Sequence, residues 1–112
     1  MPIIAVGDMC GILGRRDELV ALLEGFERWA ARRPGCRRYT FGATLTDPSR
    51  FVLVSEWDSK AALDSHYRST EFADFQFGLH GLLARPSELT IFSSDAESRP
   101  MNTGPMDPRD AD

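Results

Sequence analysis

Three side chains near the middle of the sequence are of the types that proton transfer or the binding of an aromatic ring would require: Tyr39, Trp57 and His66. The imidazole of His66 would accept a proton near neutral pH at little cost, because the ordinary histidine pKa is about 6.5. His66 follows Leu63 by three residues and Ala62 by four, so a helix would turn it toward the interior. There it is either a structural group held by hydrogen bonds or a proton-transfer group at a pocket.

The neighbouring aromatic residues have two interpretations each. Trp57 ends a predicted strand and is large enough either to stack on a ligand or to fill the core. Tyr39, on another predicted strand, could stack on a ring or donate its phenolic hydroxyl. Phe72 and Phe75 lie on a helical apolar stripe of a kind that mostly indicates core. Phe77 points away from that stripe, which predicts a subunit contact or the edge of a pocket.

Several other classes of site are not expected. Cys10 and Cys36 lack the spacing of metal ligands, so we expect reduced thiols and no structural zinc. The segment GILGRR at residues 11–16 follows a predicted strand, whereas the RNA-binding Gly-x-x-Gly loop needs a helix there, so it predicts a simple turn. No dinucleotide fingerprint or phosphate loop occurs in the sequence. The basic cluster RRPGCRR at residues 32–38 is either a solvated rim or an anion site.

The distribution of charge argues against nucleic-acid binding. The formal net charge is −4, and residues 93–112 hold five acidic residues and two arginines, so residues 1–92 carry only −1. A nearly neutral body lacks the basic surface that nucleic acid requires. The sequence contains no apolar run of about 18 residues that would predict a membrane span. Its N-terminus lacks the features of a signal peptide, so we expect a cytoplasmic protein with neither membrane nor nucleic-acid partners.

Hydrophobic patterns predict the element order β-α-β-β-α-β. An amphipathic helix is expected to begin near residue 17 and to be ended by Pro34 and Gly35. This order is typical of an α+β, ferredoxin-like fold, in which the helices pack on one face of an antiparallel sheet. Strands are expected at residues 3–12, 36–45, 51–57 and 88–93.

The second helical part is expected in two pieces. Asp58 or Ser59 can cap the first piece, and Ser69 or Thr70 can cap the second. The second piece is expected to run to about residue 84, because Pro86 then closes it. We therefore expect the helix to be interrupted within the candidate site, with His66 in the first piece and Phe72 and Phe75 in the second.

The strand pattern predicts a homodimer. A sheet covered on one face alternates apolar and polar residues, but neighbouring apolar residues such as Ile3 and Ile4 would point to opposite faces. The helices can cover one face only, so we expect the other face to pack against the sheet of a second subunit. The alternative cover is a C-terminal tail at residues 93–112, which is polar and contains three prolines. Residues 1–92 are then the single domain.

Three stretches together resemble a known domain: RRPGCRRYTF at residues 32–41, TDPSRFVLVSEWDSKAALDSHYRSTEFADF at residues 46–75, and SELTIF at residues 87–92. Over residues 2–92 the chain resembles the antibiotic biosynthesis monooxygenase domain. The resemblance is most specific at Glu56-Trp57, Ala62-Leu63, His66 and Glu71-Phe72. It implies a ferredoxin-like protomer that dimerises through its sheet faces into an α+β barrel. It also implies, as in several members, oxygenation of a quinol or polyketide-type phenol by O2 without flavin, heme or metal.

The resemblance implies a role for each candidate residue. In the implied reaction a phenol or enol is deprotonated, its anion passes an electron to O2, and the radical pair recombines to a peroxide that collapses to a quinone. The protein must then supply a dry apolar pocket, a proton acceptor and groups that orient the ring. We expect His66 to be the acceptor or orienter and Trp57 and Tyr39 to contact the ring. Phe72 and Phe75 are expected to form the walls.

Other functions are compatible with the same scaffold. One is a non-catalytic or regulatory dimer that binds a hydrophobic ligand, and another is a proton-transferring isomerase or cyclase. Similarity to the heme-degrading oxygenases of this fold would require an asparagine in the first strand, a tryptophan on a helix and an axial histidine. The chain has Asp8, His66 and Gln76 at those places, so heme degradation is not expected.

Overall fold

The computed structural model describes residues 2–93, and these residues form a four-stranded antiparallel sheet with three helices. This architecture confirms the predicted α+β, ferredoxin-like fold, with the second helical part divided in two. The predicted tail at residues 93–112 lies outside the described residues except for Ser93, which ends the last strand. The elements are β1 (Ile3–Cys10), α1 (Arg16–Ala30), β2 (Cys36–Ala43), β3 (Arg50–Trp57), α2 (Lys60–Tyr67), α3 (Thr70–Leu79) and β4 (Glu88–Ser93).

Serine caps divide the second helical part. The hydroxyl of Ser59 accepts a hydrogen bond from the N–H of Ala62 at 3.2 Å, at the start of α2. The hydroxyl of Ser69 accepts one from the N–H of Phe72 at 3.1 Å, at the start of α3. Each cap satisfies an N–H group that has no partner within its own helix. The predicted caps at Ser59 and Ser69 are thereby confirmed.

The end of β1 differs from the prediction of a strand reaching residue 12. β1 ends at Cys10, because the N–H of Ile12 bonds to the segment after α3, whereas the N–H of Gly11 still bonds in register with the residue before β3. Gly11 donates to the carbonyl of Ser49 at 2.7 Å, and Ile12 donates to the carbonyl of Leu82 at 2.8 Å. The segment after α3 is therefore fastened to the end of β1, and α3 is shorter than the predicted helix. These bonds join distant residues, so local patterns do not reveal them.

The sheet has the strand order β2-β3-β1-β4, with every neighbouring pair antiparallel. Ile3 pairs with Trp57, so both lie on the face that the helices cover, and both are buried. Val6 pairs with Val54 on the other face, where both are only half-buried. Both faces of β1 and β3 are thus apolar, as predicted, and only one is covered within residues 2–93.

The turn between α1 and β2 depends on a glycine. Gly35 has φ +79°, and a Cβ atom there would lie 2.6 Å from the Cβ of Ala62 on α2. Its carbonyl accepts a hydrogen bond from the N–H of Asp58 at 2.8 Å, just before α2 begins. The close approach places α2 over β3, and with it the helix that carries His66.

Gly35→Ala is expected to lower the free energy of unfolding by about 2 kcal/mol, because the added methyl group meets both a strained φ and a close neighbour. Gly25→Ala is the matched control. Gly25 lies inside α1 with open space around it, so alanine should raise stability by up to about 1 kcal/mol. Urea denaturation measures both changes, and equal effects of the same sign would contradict this account.

Candidate functional site

His66 lies at the centre of a group of aromatic side chains, which we call the aromatic cluster. Its side chain comes from α2 and is only 1% exposed. Its ring centroid lies 4.8 Å from that of Trp57 and 5.4 Å from that of Tyr39, which come from β3 and β2. With His66, the cluster comprises Phe26, Trp29, Tyr39, Trp57, Tyr67, Phe72 and Phe75.

The structure brings all five predicted site residues into this cluster. His66, Trp57, Tyr39 and Phe75 are buried, and Phe72 is half-buried with its ring 5.3 Å from that of His66. Tyr39, Trp57 and Phe75 also belong to the hydrophobic core and Phe72 packs against it, so the structural and the functional interpretations describe the same place. Contact between these residues is therefore clear, whereas their roles in a reaction stay a prediction.

Three members of the cluster were not among the predicted site residues: Phe26, Trp29 and Tyr67. Phe26 stacks on Phe75 at 4.0 Å with an interplanar angle of 6°, which joins α1 to α3. Trp29 lies 5.9 Å from His66 at an interplanar angle of 28°. In the sequence, Phe26 and Trp29 belong to the apolar stripe of the first helix, a signal that indicates burial but not which residues they meet.

His66 is an unusual buried group because its polar atoms are unpaired. Neither Nδ1 nor Nε2 has a hydrogen-bond partner among residues 2–93. Burial, and secondarily the positive charge of Arg33, lower the pKa of His66 from 6.5 to about 4. The imidazole is therefore neutral at pH 7, with one nitrogen able to donate and one able to accept a hydrogen bond. A buried polar group without a partner is costly, so a polar atom arriving here would be bound favourably.

Arg33 places a positive charge beside the cluster. Its guanidinium carbon lies 4.9 Å from the centroid of the Trp29 ring, a cation–π arrangement. Its Nε is also buried without a hydrogen-bond partner among the described residues. An anionic oxygen near His66 would be stabilised by this charge, whereas a protonated His66 would be destabilised by it.

The hydroxyl groups of the cluster stay protonated. Burial raises the pKa of Tyr39 well above its ordinary value of 10, and the neighbouring Tyr67 contributes to the shift. Burial likewise raises the pKa of Tyr67 to about 12. Trp57 is held in place by a hydrogen bond from its Nε1–H to the hydroxyl of Ser55 at 3.1 Å. The cluster therefore offers neutral donors within a mostly apolar enclosure.

A groove lies away from this cluster, beside the second half of α3. We call it the α3 groove; its volume is about 650 Å³. None of the five predicted site residues lines it. Phe77, whose outward position predicts a pocket edge or a subunit contact, does line it and is 81% exposed. The lining residues are Ala73, Gln76, Phe77, Leu79, His80, Leu83, Arg85, Pro86 and Ser87.

The described part of the chain has neither a metal-binding cluster nor a helix that could span a membrane. Residues 2–93 contain no group of three or more His, Cys, Asp or Glu side chains placed to hold a metal ion. No helix within the same residues is long and apolar enough to cross a membrane. Cys10 and Cys36 are both free thiols.

Comparison with known proteins places the chain in a family. The sequence pattern described as antibiotic biosynthesis monooxygenase matches residues 2–77. An uncharacterised protein of Synechocystis sp. is 31% identical over 91 residues, which are 81% of this chain and 62% of that relative. The chain thus spans somewhat less than two thirds of that curated relative.

Solved structures share the fold of this chain. A protein of Mycobacterium tuberculosis superimposes with a TM-score of 0.80 at 25% identity, covering 88% of this chain and 100% of the other. A Deinococcus radiodurans protein, described as a candidate antibiotic biosynthesis monooxygenase, superimposes with a TM-score of 0.83 at 19% identity, covering 89% and 99%. At that identity the second likeness concerns the fold alone. Since the family pattern covers well over half of the sequence, the chain belongs to the antibiotic biosynthesis monooxygenase family.

Proposed function

We propose that this protein is a cofactor-independent monooxygenase that oxidises a small aromatic quinol or polyketide-type phenol with O2. The observation that carries the proposal is the neutral imidazole of His66, whose two ring nitrogens have no partner among residues 2–93, enclosed by aromatic rings. An apolar enclosure with a single unpaired acceptor suits a phenol, because the ring can stack while its hydroxyl bonds to the imidazole.

His66 is proposed to orient the phenol and to receive its proton. A base with a pKa of about 4 would take a proton from a neutral phenol only at a high cost. A phenol that is losing an electron to O2 is far more acidic, so the proton can move to His66 together with that transfer. Superoxide and the phenoxyl radical then combine at a ring carbon to a peroxide anion, which takes the proton back from His66. Cleavage of the O–O bond with loss of the proton of that ring carbon releases one water and leaves the quinone.

Access to His66 is proposed from the side that the half-buried members of the cluster form. Trp29, Tyr67 and Phe72 are half-buried, whereas Trp57 is 0% exposed. The rings of Tyr67 and Phe72 pack edge to face at the junction of α2 and α3, with their centroids 4.9 Å apart. Rotation of these two rings would open a way to His66 without disturbing the pairing of the sheet.

Oxygen uptake by the pure, colourless protein with a panel of hydroquinones tests the proposal. We expect at least one hydroquinone to raise uptake above its spontaneous rate, with one hydroxylated quinone and one water formed for each O2 consumed. Formation of the unsubstituted quinone with H2O2 would indicate an oxidase instead. If none does so while aromatic compounds still bind, the protein is a binder and the monooxygenase proposal is wrong.

A second candidate function, the binding of a hydrophobic ligand without catalysis, is favoured by the α3 groove. The groove has the volume of typical small-molecule sites and is lined by none of the predicted site residues. Ala73 lies on the exposed side of α3 at the groove, so Ala73→Trp would fill it. This variant should abolish ligand binding at the groove, and retained binding would place the ligand elsewhere.

We also propose that two protomers associate through their open sheet faces. Ile4, Val6, Val52 and Val54 are half-buried on the face that no helix covers. Phe92, which pairs with Ile4, is 50% exposed. An apolar face of this kind is stable in water only when another surface covers it.

Val54→Lys is expected to convert a dimer into a monomer, because the ammonium group would be buried in the middle of the proposed interface. Leu45→Lys is the control, since Leu45 is fully exposed in the turn between β2 and β3. Light scattering at micromolar concentration measures the masses. A monomeric mass for the unmodified protein would exclude the proposed dimer.

A further inference from the structure

We propose that the α3 groove selects an amphipathic anion, namely a small aromatic carboxylate, and that Arg85 binds the carboxylate. The inference rests on the second candidate function, in which the groove is a ligand site. It goes beyond that function because it assigns the charge of the ligand and the residue that recognises it. It is independent of any reaction at His66.

The lining of the groove is apolar on its walls and free of negative charge. Phe77, Leu79, Leu83 and Pro86 supply the apolar surface. The polar groups are Gln76, His80, Arg85 and Ser87, all of which can donate a hydrogen bond. None of the nine lining residues is acidic, although the sequence has 17 acidic residues and a net charge of −4. The groove is therefore locally suited to an anion within a body of residues 1–92 that is nearly neutral overall.

Arg85 is available to a ligand. Three ion pairs occur among residues 2–93, and they use Arg15, Arg37 and Lys60 but not Arg85. The charge of Arg85 helps to lower the pKa of the Asp47 carboxyl group, but it is the weakest of the causes of that shift.

The acidic neighbours of Arg85 are already engaged or point elsewhere. Oδ1 of Asp47 accepts hydrogen bonds from the N–H of Ser49 at 2.9 Å and from its hydroxyl at 2.7 Å. Glu88 follows the groove in sequence but pairs with Asp8 in the sheet. Successive residues of a strand point to opposite faces, so Glu88 lies on the face opposite to Leu89. The guanidinium of Arg85 therefore lacks an internal carboxylate partner within the described part of the chain.

The shape of the groove favours a ring that carries a carboxylate. A guanidinium fork matches a carboxylate with two parallel hydrogen bonds. The ring of Phe77 is 81% exposed beside it and offers a stacking surface. A volume of about 650 Å³ accommodates a compound of one or two fused rings.

Binding of 1-naphthoate and of its uncharged counterpart 1-naphthamide tests the inference. Naphthoate is expected to bind about fivefold more tightly at low salt, the scale of a solvent-accessible ion pair, and the preference should shrink as salt is added. Arg85→Gln should remove the preference while leaving the affinity for naphthamide unchanged. Arg68→Gln, an exposed arginine of the α2–α3 junction outside the groove, is the matched control and should keep the preference.

The outcomes distinguish two claims, namely that the α3 groove binds a ligand and that Arg85 makes it select an anion. Equal affinity for the two probes, or a preference that survives Arg85→Gln, overturns the inference but leaves the groove as a ligand site. If neither probe binds, or if both still bind to Ala73→Trp, the groove is not the ligand site. The proposed ligand binding at the groove and its selectivity for a carboxylate are then both wrong. Calorimetry supplies these affinities without any measurement of turnover, so an inactive protein answers the question equally well.

Discussion

Replacing His66 with alanine is expected to lower the turnover of a hydroquinone by about 100-fold, the usual scale for the loss of a proton acceptor. The physical reason is that the only imidazole of the aromatic cluster presents two unpaired nitrogens to an apolar enclosure. Removing it leaves the phenol with no group of comparable basicity among the cluster side chains. The measurement is the initial rate of oxygen uptake at saturating hydroquinone.

Two further variants separate chemistry from folding. His66→Gln keeps a hydrogen-bond acceptor of similar size but no basic nitrogen, so it should bind the substrate with little change while turnover stays low. Ser65→Ala changes the exposed neighbour on α2 and should be as active as the unmodified protein. Circular dichroism establishes that each variant is folded. Full turnover by a folded His66→Ala protein would remove His66 from the mechanism and leave it a structural residue.

Acidification from pH 6.5 to pH 4 is expected to cost the protein about 2–3 kcal/mol of stability through His66 alone. The pKa of His66 is about 4 in the folded protein and 6.5 when the ring is exposed. Between these values the unfolded chain binds a proton that the folded chain does not, so the free energy of unfolding falls as the pH falls. Above about pH 8 neither state binds the proton, and His66 contributes no slope.

The comparison of two proteins isolates this contribution. His66→Phe keeps a ring in the aromatic cluster but cannot be protonated, so its stability should depend less steeply on pH between 4 and 6.5. Because carboxyl groups also titrate near the lower end, the difference between the two slopes is the quantity to examine. Urea denaturation at pH 7, 6, 5 and 4.5 measures it. Parallel curves for the two proteins would show that His66 is hydrated in the folded state.

The fold could be predicted from local sequence patterns, because its helices and strands depend on residues that are close in the sequence. Ser59 and Ser69 cap helices through N–H groups three residues away, so the sequence alone predicts both starts. Alternating burial along β3 follows from the two-residue period of a strand. The end of β1 was misplaced because the N–H of Ile12 bonds to Leu82, 70 positions later in the sequence, for which no local rule exists.

The candidate site could be predicted only in part from the sequence. The family resemblance implied a common location for Tyr39, Trp57, His66, Phe72 and Phe75, and the structure brings these residues together. The α3 groove was not predicted as a cavity, although Phe77 pointed to that surface. The groove is the space between α3 and the segment before β4. The sequence pattern of either segment alone does not predict that space.

The sequence by itself determined the element order, the helix caps, the two apolar faces of the sheet and the family, because each depends on residue types at short, regular spacings. Only the tertiary structure decided the environment of His66. Its burial, its two unpaired nitrogens and its lowered pKa arise where α1, α2, α3 and two strands converge. Likewise, the effect of the Arg33 charge on His66 and the place of Arg85 in the α3 groove arise from contacts between distant segments. Chemistry at a buried group depends on the desolvation and the charges around it, and packing alone sets both.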